Sequence, residues 1–508
     1  MVVLSASDEP FAEVMETHAA VVYFAGGYAF KLKKPVNFGF LDFRSPQARE
    51  AACVREVELN RRLASDVYLG VAELRDPSGQ LIDHLVMMRR MPAGRRLSTL
   101  VRAGEPVTGA LREVARQLAV LHAASPQRTE IVEQGSRDAL GRRWEANLSE
   151  ARALTGSPLD PGTIDEVQQL AERFLAGRQP LFEARMHADR VVDGHGDLLA
   201  DDIFCLDDGP RILDCLEFDD RLRWLDGLDD AACLAMDLER IGAPGLAERF
   251  SSWYAEFSAD PAPASLYQHY LAYRSFMRAK IAVLRWNQGD AEAACEARSL
   301  AGITLRHLRA GEVTLILVGG LPGTGKSTLA GQLAARLGCT VLNSDRIRKE
   351  LAGVAPEQSC RAAYGARIYT LAWTERTYAE LLRRAAALLG NGESVIADAS
   401  WISPQQRSAA AAVAESASGG LVQLRCITPA GLASKRMTAR TGDPSDADQQ
   451  IAAEMAASQA PWPEAITIDT ASTDDPAEQA IAAVHPGSSQ PFPAAGPRDA
   501  GAITTRAQ

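Results

Sequence analysis

The chain has no C-x-x-C pair, and its eight cysteines are scattered without the Cys/His spacing of a zinc site. Disulfide scaffolds and zinc modules are thereby excluded. Cysteines in mostly apolar contexts read as small hydrophobes of a reduced, cytoplasmic protein. No uninterrupted apolar run is long enough to cross a bilayer, and the first ten residues lack the basic-then-apolar course of a secretory signal. No membrane partner is expected. A basic excess is missing too: 54 Lys and Arg stand against 65 Asp and Glu, a formal charge of −11. That balance excludes a general nucleic-acid binder and leaves at most a local basic groove. No helicase-like motif and no repeat of fixed period is present.

What remains is an ordinary globular composition, 46% hydrophobic and 23% charged, over 508 residues, enough for two or three domains. Residues 1–311 form a mixed region with a strongly helical later part. Residues 312–484 alternate apolar strands with alanine-rich amphipathic helices, which predicts an α/β domain with a parallel sheet. Residues 485–508, rich in Pro, Gly, Ser and Ala, have little to bury and read as a disordered tail.

The strongest motif is Gly320-Leu321-Pro322-Gly323-Thr324-Gly325-Lys326-Ser327. It follows a continuously apolar run, Val313 to Val318, and precedes helical spacing from Thr328 to Leu337. Strand, glycine loop and helix start place backbone N–H groups around a phosphate chain. Lys326 then reaches the β/γ-phosphates, and the Ser327 hydroxyl holds Mg²⁺. The pattern predicts a site for a nucleoside triphosphate, with ATP and Mg²⁺ the expected cofactors.

Downstream, Asp345 and Arg348 lie one helical turn apart after a short predicted strand. Phosphoryl transfer needs a carboxylate to orient an acceptor hydroxyl and a cation for anionic charge. An N-capping aspartate beside a solvated arginine is the alternative. Asp398 ends a third apolar strand, where a carboxylate assists Mg²⁺ or substrate, or caps a turn. Arg436 and Arg440 stand at i,i+4 before the turn 441–447, as in a lid over phosphates or a solvated basic face. P-loop, S-D-x-x-R, V-I-x-D-A and R-x-x-x-R in this order resemble the small-molecule and polynucleotide kinases of the P-loop class, gluconate-kinase-like and zeta-toxin-like members included. The resemblance implies acceptor contact by Asp345 and nucleotide contact by Arg436 and Arg440.

In the N-terminal region, Val192-Asp-Gly-His-Gly-Asp-Leu-Leu-Ala-Asp-Asp-Ile-Phe204 is followed by two predicted strands, Ile203–Leu206 and Arg211–Leu216. Asp197 fits the carboxylate that orients an acceptor hydroxyl, and Asp202 and Asp214 fit metal ligands if the hairpin joins the loop ends. The acidic cluster Asp214, Glu217, Asp219 and Asp220 also fits a solvated, arginine-paired loop. The pattern resembles the aminoglycoside-phosphotransferase-like kinases, whose loop reads H-G-D-x-x-x-x-N; Asp202 stands where that family has asparagine. The family implies a two-lobed, protein-kinase-like domain with Mg²⁺ and ATP. It also implies a strand lysine paired with a helix glutamate: Lys31 and Glu56, with Lys33 and Glu58 as competitors. The kinase G-x-G-x-x-G is absent. Joining such a lobe to a P-loop kinase resembles a bacterial family of fused aminoglycoside-phosphotransferase-like and AAA-family ATPase proteins. The expected activity is phosphoryl transfer from ATP to small hydroxylated acceptors; a nucleotide-sensing regulator, in which the N-terminal lobe binds but does not transfer phosphate, is the alternative. Nothing in the sequence names the acceptor or the oligomeric state.

Overall fold

The computed structural model describes residues 11–17, 19–37, 42–154, 156–355, 358, 366–439, 445, 448–472 and 474–484. Arg440, most of the expected lid turn and the expected tail lie outside them. Two compact units divide the chain. The first takes the described residues of Met1–Ala171, Phe182–Ala262 and Leu266–Ala310; the second takes those of Glu172–Leu181, Pro263–Ser265 and Gly311–Gln508.

In the first unit β1 (Ala12–Glu16), β2 (Ala20–Ala25), β3 (Tyr28–Lys33), β4 (Tyr68–Arg75) and β5 (Leu81–Arg89) form one antiparallel sheet, ordered β1-β2-β3-β5-β4. β-Branched and aromatic residues favour these strands, and Ala20 and Val22 of β2 turn to the core on the same face. The helix Pro46–Ala64 starts where the Ser45 hydroxyl accepts the Ala48 N–H, with proline in its first turn. It buries Cys53, Val57 and Ala64 against Val22, Ala29, Val86 and Met88 of the sheet.

The helical remainder of this unit is organised on the helix Gly227–Arg240. Every residue from Gly227 to Leu238 is buried, including Asp229, Asp230 and Asp237. Such a helix lies inside a core, and its carboxylates need partners there. Two short ribbons carry the intervening chain: β6 (Val191–Asp193) pairs with β9 (Trp224–Asp226), and β7 (Ile203–Leu206) with β8 (Gly209–Ile212). The sequence pattern carries the last strand of the hairpin to Leu216. Instead it stops at Ile212, because Asp214 adopts φ +65° and gives its N–H to the Tyr68 hydroxyl at 3.1 Å. A five-stranded sheet with one long helix, followed by a helical lobe with a ribbon-borne loop, is a two-lobed, protein-kinase-like fold.

The second unit is a parallel sheet of β10 (Thr314–Gly319), β11 (Thr340–Asn343), β12 (Val395–Asp398), β13 (Gly420–Ile427) and β14 (Ile466–Asp469), ordered β11-β12-β10-β13-β14. All six residues of the central β10 are buried, which accounts for its unbroken apolar run. Leu329, Ala330 and Leu333 of the helix Lys326–Leu337 pack on this sheet with Ala477 and Ala480 of the helix Pro476–Val484. The fold is that of a P-loop kinase. Leu333 has no exposed surface. Leu333→Ala is expected to destabilise this unit by about 2–5 kcal/mol. Limited proteolysis during heating should show residues 311–484 cleaved earlier while the first unit melts as before.

Candidate functional site

In the first unit the sheet and the loop after β6 converge on one cluster of charge. Lys31 on β3 donates to Glu56 Oε1 at 2.9 Å and to Asp214 Oδ1 at 2.6 Å, joining residues 183 positions apart. Lys33 lies two residues on, hence on the same strand face. It is buried and donates to Glu56 Oε2 at 2.7 Å and to Glu217. Glu56 therefore holds both lysines, whereas Glu58 is exposed and reaches only Arg55 at 3.5 Å. Burial alone would lower the pKa of Lys31, but Asp214 and Glu56 hold it well above the ordinary value. Burial would likewise raise Glu56; the two lysines keep it low.

Asp197 sits half-buried in the loop between β6 and β7, and Arg278 donates to its Oδ1. Asp202 closes the helical turn just before β7, and its carbonyl accepts the Leu213 N–H at 3.0 Å, so the ribbon does bring residues 202 and 214 together. Burial, then the nearby Asp214 and Asp197 carboxylates, push Asp202 well above the usual carboxylate range. Asp214 moves down, chiefly through Lys31. Of the remaining acids, Glu217 pairs with Lys33, Asp219 with Arg221, and Asp220 with Arg55 and Arg223.

In the second unit, Gly325 caps the helix Lys326–Leu337 at φ +85° and no side chain bonds its first turn. The first N–H groups stay open for an anion. The loop is pressed close: a Cβ on Gly320 would meet the Cys426 carbonyl at 2.7 Å, and one on Gly323 the Ala433 carbonyl at 2.6 Å. Pro322 is buried within the loop and Leu321 half-buried. Thr324 bonds back to the Leu321 carbonyl at 2.8 Å. Lys326 is half-buried, and Ser327 and Thr328 are exposed.

Asp398 is buried at the end of β12, and its Oδ2 accepts from Asn343 at 2.7 Å. Its Oδ1 is buried without a hydrogen-bond partner. Burial raises this carboxyl, against the pull of neighbouring Lys326 and Ser327. Asn343 also caps the helix Ser344–Leu351, so Asp345, half-buried in its first turn, has no capping duty. Arg348 is turned away into the fold, donating to the Ile368 carbonyl and the Thr374 hydroxyl over the Tyr369 ring. Arg436 grips Thr470 through its hydroxyl and carbonyl, both at 2.9 Å, and Thr470 donates to the Thr324 carbonyl at 2.6 Å. Arg440, its expected companion, lies outside the described residues.

No group of three or more His, Cys, Asp or Glu side chains makes a metal cluster among the described residues. Mg²⁺ in phosphate chemistry needs only one or two carboxylates besides the phosphates. The orphaned Asp398 Oδ1 and the mutually repelling Asp197, Asp202 and Asp214 fit that requirement.

Comparison with known proteins gives the chain a family. The uncharacterized protein Rv2004c of Mycobacterium tuberculosis (strain ATCC 25618 / H37Rv) is 45% identical over 465 residues, spanning 92% of this chain and 93% of the relative. Mb2027c of Mycobacterium bovis matches equally. This chain belongs to the Rv2004c family. A family model described as an AAA domain matches residues 315–462. Among solved structures, a choline/ethanolamine kinase family protein from Mesorhizobium loti is 16% identical, with TM-score 0.37, covering 59% of this chain and 93% of its own. The GDP and kanamycin complex of APH(2")-IIia is 18% identical, with TM-score 0.37, covering 58% and 93%. A sugar kinase from Janibacter sp. HTCC2649 is 19% identical, with TM-score 0.26, covering 34% and 94%. At these identities and scores, none of the three bears on activity or substrate here. No helix of the described residues is long and apolar enough to cross a membrane.

The Rv2004c-like chain holds its first site from below through Asp230, which no sequence motif marks. Its two carboxylate oxygens accept the His195 N–H at 2.7 Å and the Gly196 N–H at 2.8 Å, and His122 Nε2 lies 3.0 Å away. Arg274 ties Asp229 to the Gly196 carbonyl at 2.6 and 2.7 Å. The Ala200 N–H reaches Asp237 at 2.9 Å. Asn343 and Thr470 are the corresponding unmarked supports in the second unit.

Burial would raise Asp230, yet His122 and the loop N–H groups hold it well below the carboxylate range. The resulting stability is present above a pH of about 4, where an unfolded aspartate ionises, and is lost as pH falls through the depressed native value. A melting-temperature series against pH should show this acid loss. Asp230→Asn should flatten it and cost about 3–5 kcal/mol near neutrality, because a buried charge network loses its centre.

Proposed function

We propose that this protein is an ATP-dependent phosphotransferase with two Mg²⁺–ATP sites, at least one of which transfers phosphate to a small hydroxylated acceptor. The observation that carries the reading is the convergence of Lys31, Glu56, Asp197, Asp202 and Asp214 in one unit, from segments distant in sequence. In the first unit, Lys31, positioned by Glu56, neutralises nucleotide phosphates. Asp197 orients the acceptor hydroxyl and takes its proton. Asp202 and Asp214 would hold Mg²⁺, which supplies charge neutralisation at the phosphates when bound.

In the second unit the open helix N-terminus and Lys326 cradle the phosphate chain, Asp345 orients the acceptor, and Arg436 braces the loop through Thr470. Ser327 and Asp398 would hold the metal. Both assignments are stabilisation and positioning, the terms that dominate phosphoryl transfer. In this reading the acceptor is a small molecule rather than a nucleic acid, in keeping with the chain's formal charge of −11.

A nucleotide sensor is the second reading for the first unit, favoured by Asp202 at the asparagine position and by the Arg278 contact on Asp197. Mg²⁺-dependent ATP consumption by single variants separates the two. Lys326→Ala should reduce turnover by the second unit at least about 100-fold, and Asp197→Asn should reduce acceptor-dependent turnover by the first on the order of 100-fold or more. Chelation of divalent metal should abolish both. Acceptor phosphorylation unaffected by Asp197→Asn would reject the transferase reading of that unit; ATP binding with no such dependence on any acceptor would make it a sensor.

A further inference from the structure

We infer that Arg278 forms an anion-binding acceptor subsite beside Asp197, so that the hydroxyl compound phosphorylated in the first unit carries a carboxylate or phosphate group. The inference rests on the phosphotransferase reading of that unit. It starts from two arginines one turn apart on the helix Ala264–Asn287, and hence on one face. Arg274 is buried and has structural work at both ends, holding Asp229 through Nε and the Gly196 carbonyl through one terminal nitrogen. Arg278 is different. One terminal nitrogen meets Asp197, while its Nε–H is buried with no hydrogen-bond partner. Its side chain keeps 18% of its surface exposed, so the group is neither sealed in the core nor free in solvent.

A guanidinium offers five N–H donors in a planar fork. Among described residues only Asp197 takes one of them. The ionisable groups acting on it are Asp197, Cys233 and Asp237, with Asp202 also within its influence. Cys233 is a buried thiol 3.8 Å from Asp197 Oδ1, pushed up by burial and hence neutral. Asp237 already serves the Ala200 N–H and Arg240. The cation is thus only partly satisfied, at the oxygen where the acceptor must arrive.

Acceptor charge follows from this placement. A cationic acceptor presenting its hydroxyl to Asp197 would lie against a guanidinium and be repelled. A neutral polyol would gain ordinary hydrogen bonds. A carboxylate or phosphate would take the paired donors that Arg278 leaves open, the geometry in which arginine binds most strongly. In the transfer step the acceptor oxygen forms a bond to the γ-phosphorus as the bond to the β-phosphate oxygen breaks. ADP leaves with that electron pair, and the hydroxyl proton passes to Asp197.

The test uses the full chain carrying Lys326→Ala, which silences the second site, with radiolabelled γ-phosphate ATP and three acceptor sets. These are gluconate and glycerate as anions, sorbitol and glycerol as neutral matches, and choline and kanamycin as cations. Gluconate or glycerate should exceed the neutral matches in kcat/KM by about tenfold or more. Arg278→Met should raise the anion KM about tenfold with kcat held within about threefold, and Arg278→Lys should restore part of the loss. Equal melting temperatures of the variants keep misfolding out of the comparison. Preference for neutral or cationic acceptors, an unchanged anion KM in Arg278→Met, or faster transfer to neutral acceptors in that variant overturns the subsite. If that transfer is still abolished by Asp197→Asn, the phosphotransferase reading stands alone. No Asp197-dependent transfer to any set overturns both.

Discussion

Asp230 is the fixed point of the first unit, because the loop that carries Asp197 is pinned on its buried carboxylate. Its two oxygens accept adjacent backbone N–H groups, from His195 and Gly196, immediately before Asp197. A buried carboxylate facing two N–H groups and an imidazole is a demanding arrangement, since removing any one partner leaves charge without compensation. That demand explains the helix Gly227–Arg240, buried along nearly its whole length and yet carrying three aspartates. Asp229 reaches the loop carbonyl through Arg274, and Asp237 reaches the Ala200 N–H. The helix is a rail on which the loop is pinned at successive points. His195 is buried against the Leu213 carbonyl, and burial lowers its pKa, so the loop is also tied to the strand end before Asp214 without adding positive charge.

The two units place their N–H donors by opposite means. In the second, the donors are backbone N–H groups at an uncapped helix start, and the sequence around them is small because carbonyls of Cys426 and Ala433 crowd the loop. In the first, the donors are lysine side chains, which need carboxylates to stay placed. Lys31 and Lys33 converge on Glu56 and extend to Asp214 and Glu217. Backbone donors stay put without a counter-charge, whereas side-chain donors need a network of them. The acidity of the first site is therefore in part a consequence of its lysines.

This difference governs what was legible in the sequence. The P-loop is contiguous, so eight residues and their flanks carry strand, turn, helix and donor set together. The loop around Asp197 is nearly as compact, and the order of Lys31, Glu56 and Asp214 along the chain matches their meeting in space. The supports escape because they are long-range. Thr470 braces Thr324 from 146 residues away, and Arg278 reaches Asp197 across 81. Asp230 sits in an alanine-rich helix and reads as a surface acid until its burial is known. Arg348 went the other way: its spacing from Asp345 suggests an anion site, but tertiary packing places it over Tyr369. The misplaced end of the strand after Gly209 has a local cause, the positive φ at Asp214, which an aspartate tolerates better than a β-branched residue.

That positive φ has a consequence for the charge of the site. By turning out of the strand, Asp214 gives its N–H to Tyr68 and brings its carboxylate to Lys31. Lys31 holds the Asp214 carboxyl low, while burial first, and then the neighbouring Asp214 and Asp197, push Asp202 up. Asparagine at position 202 would feel no such pressure, since it has no proton to take up. Asp202, standing where the aminoglycoside-phosphotransferase-like loop has asparagine, is therefore a titratable group pressed by burial and by two neighbouring carboxylates.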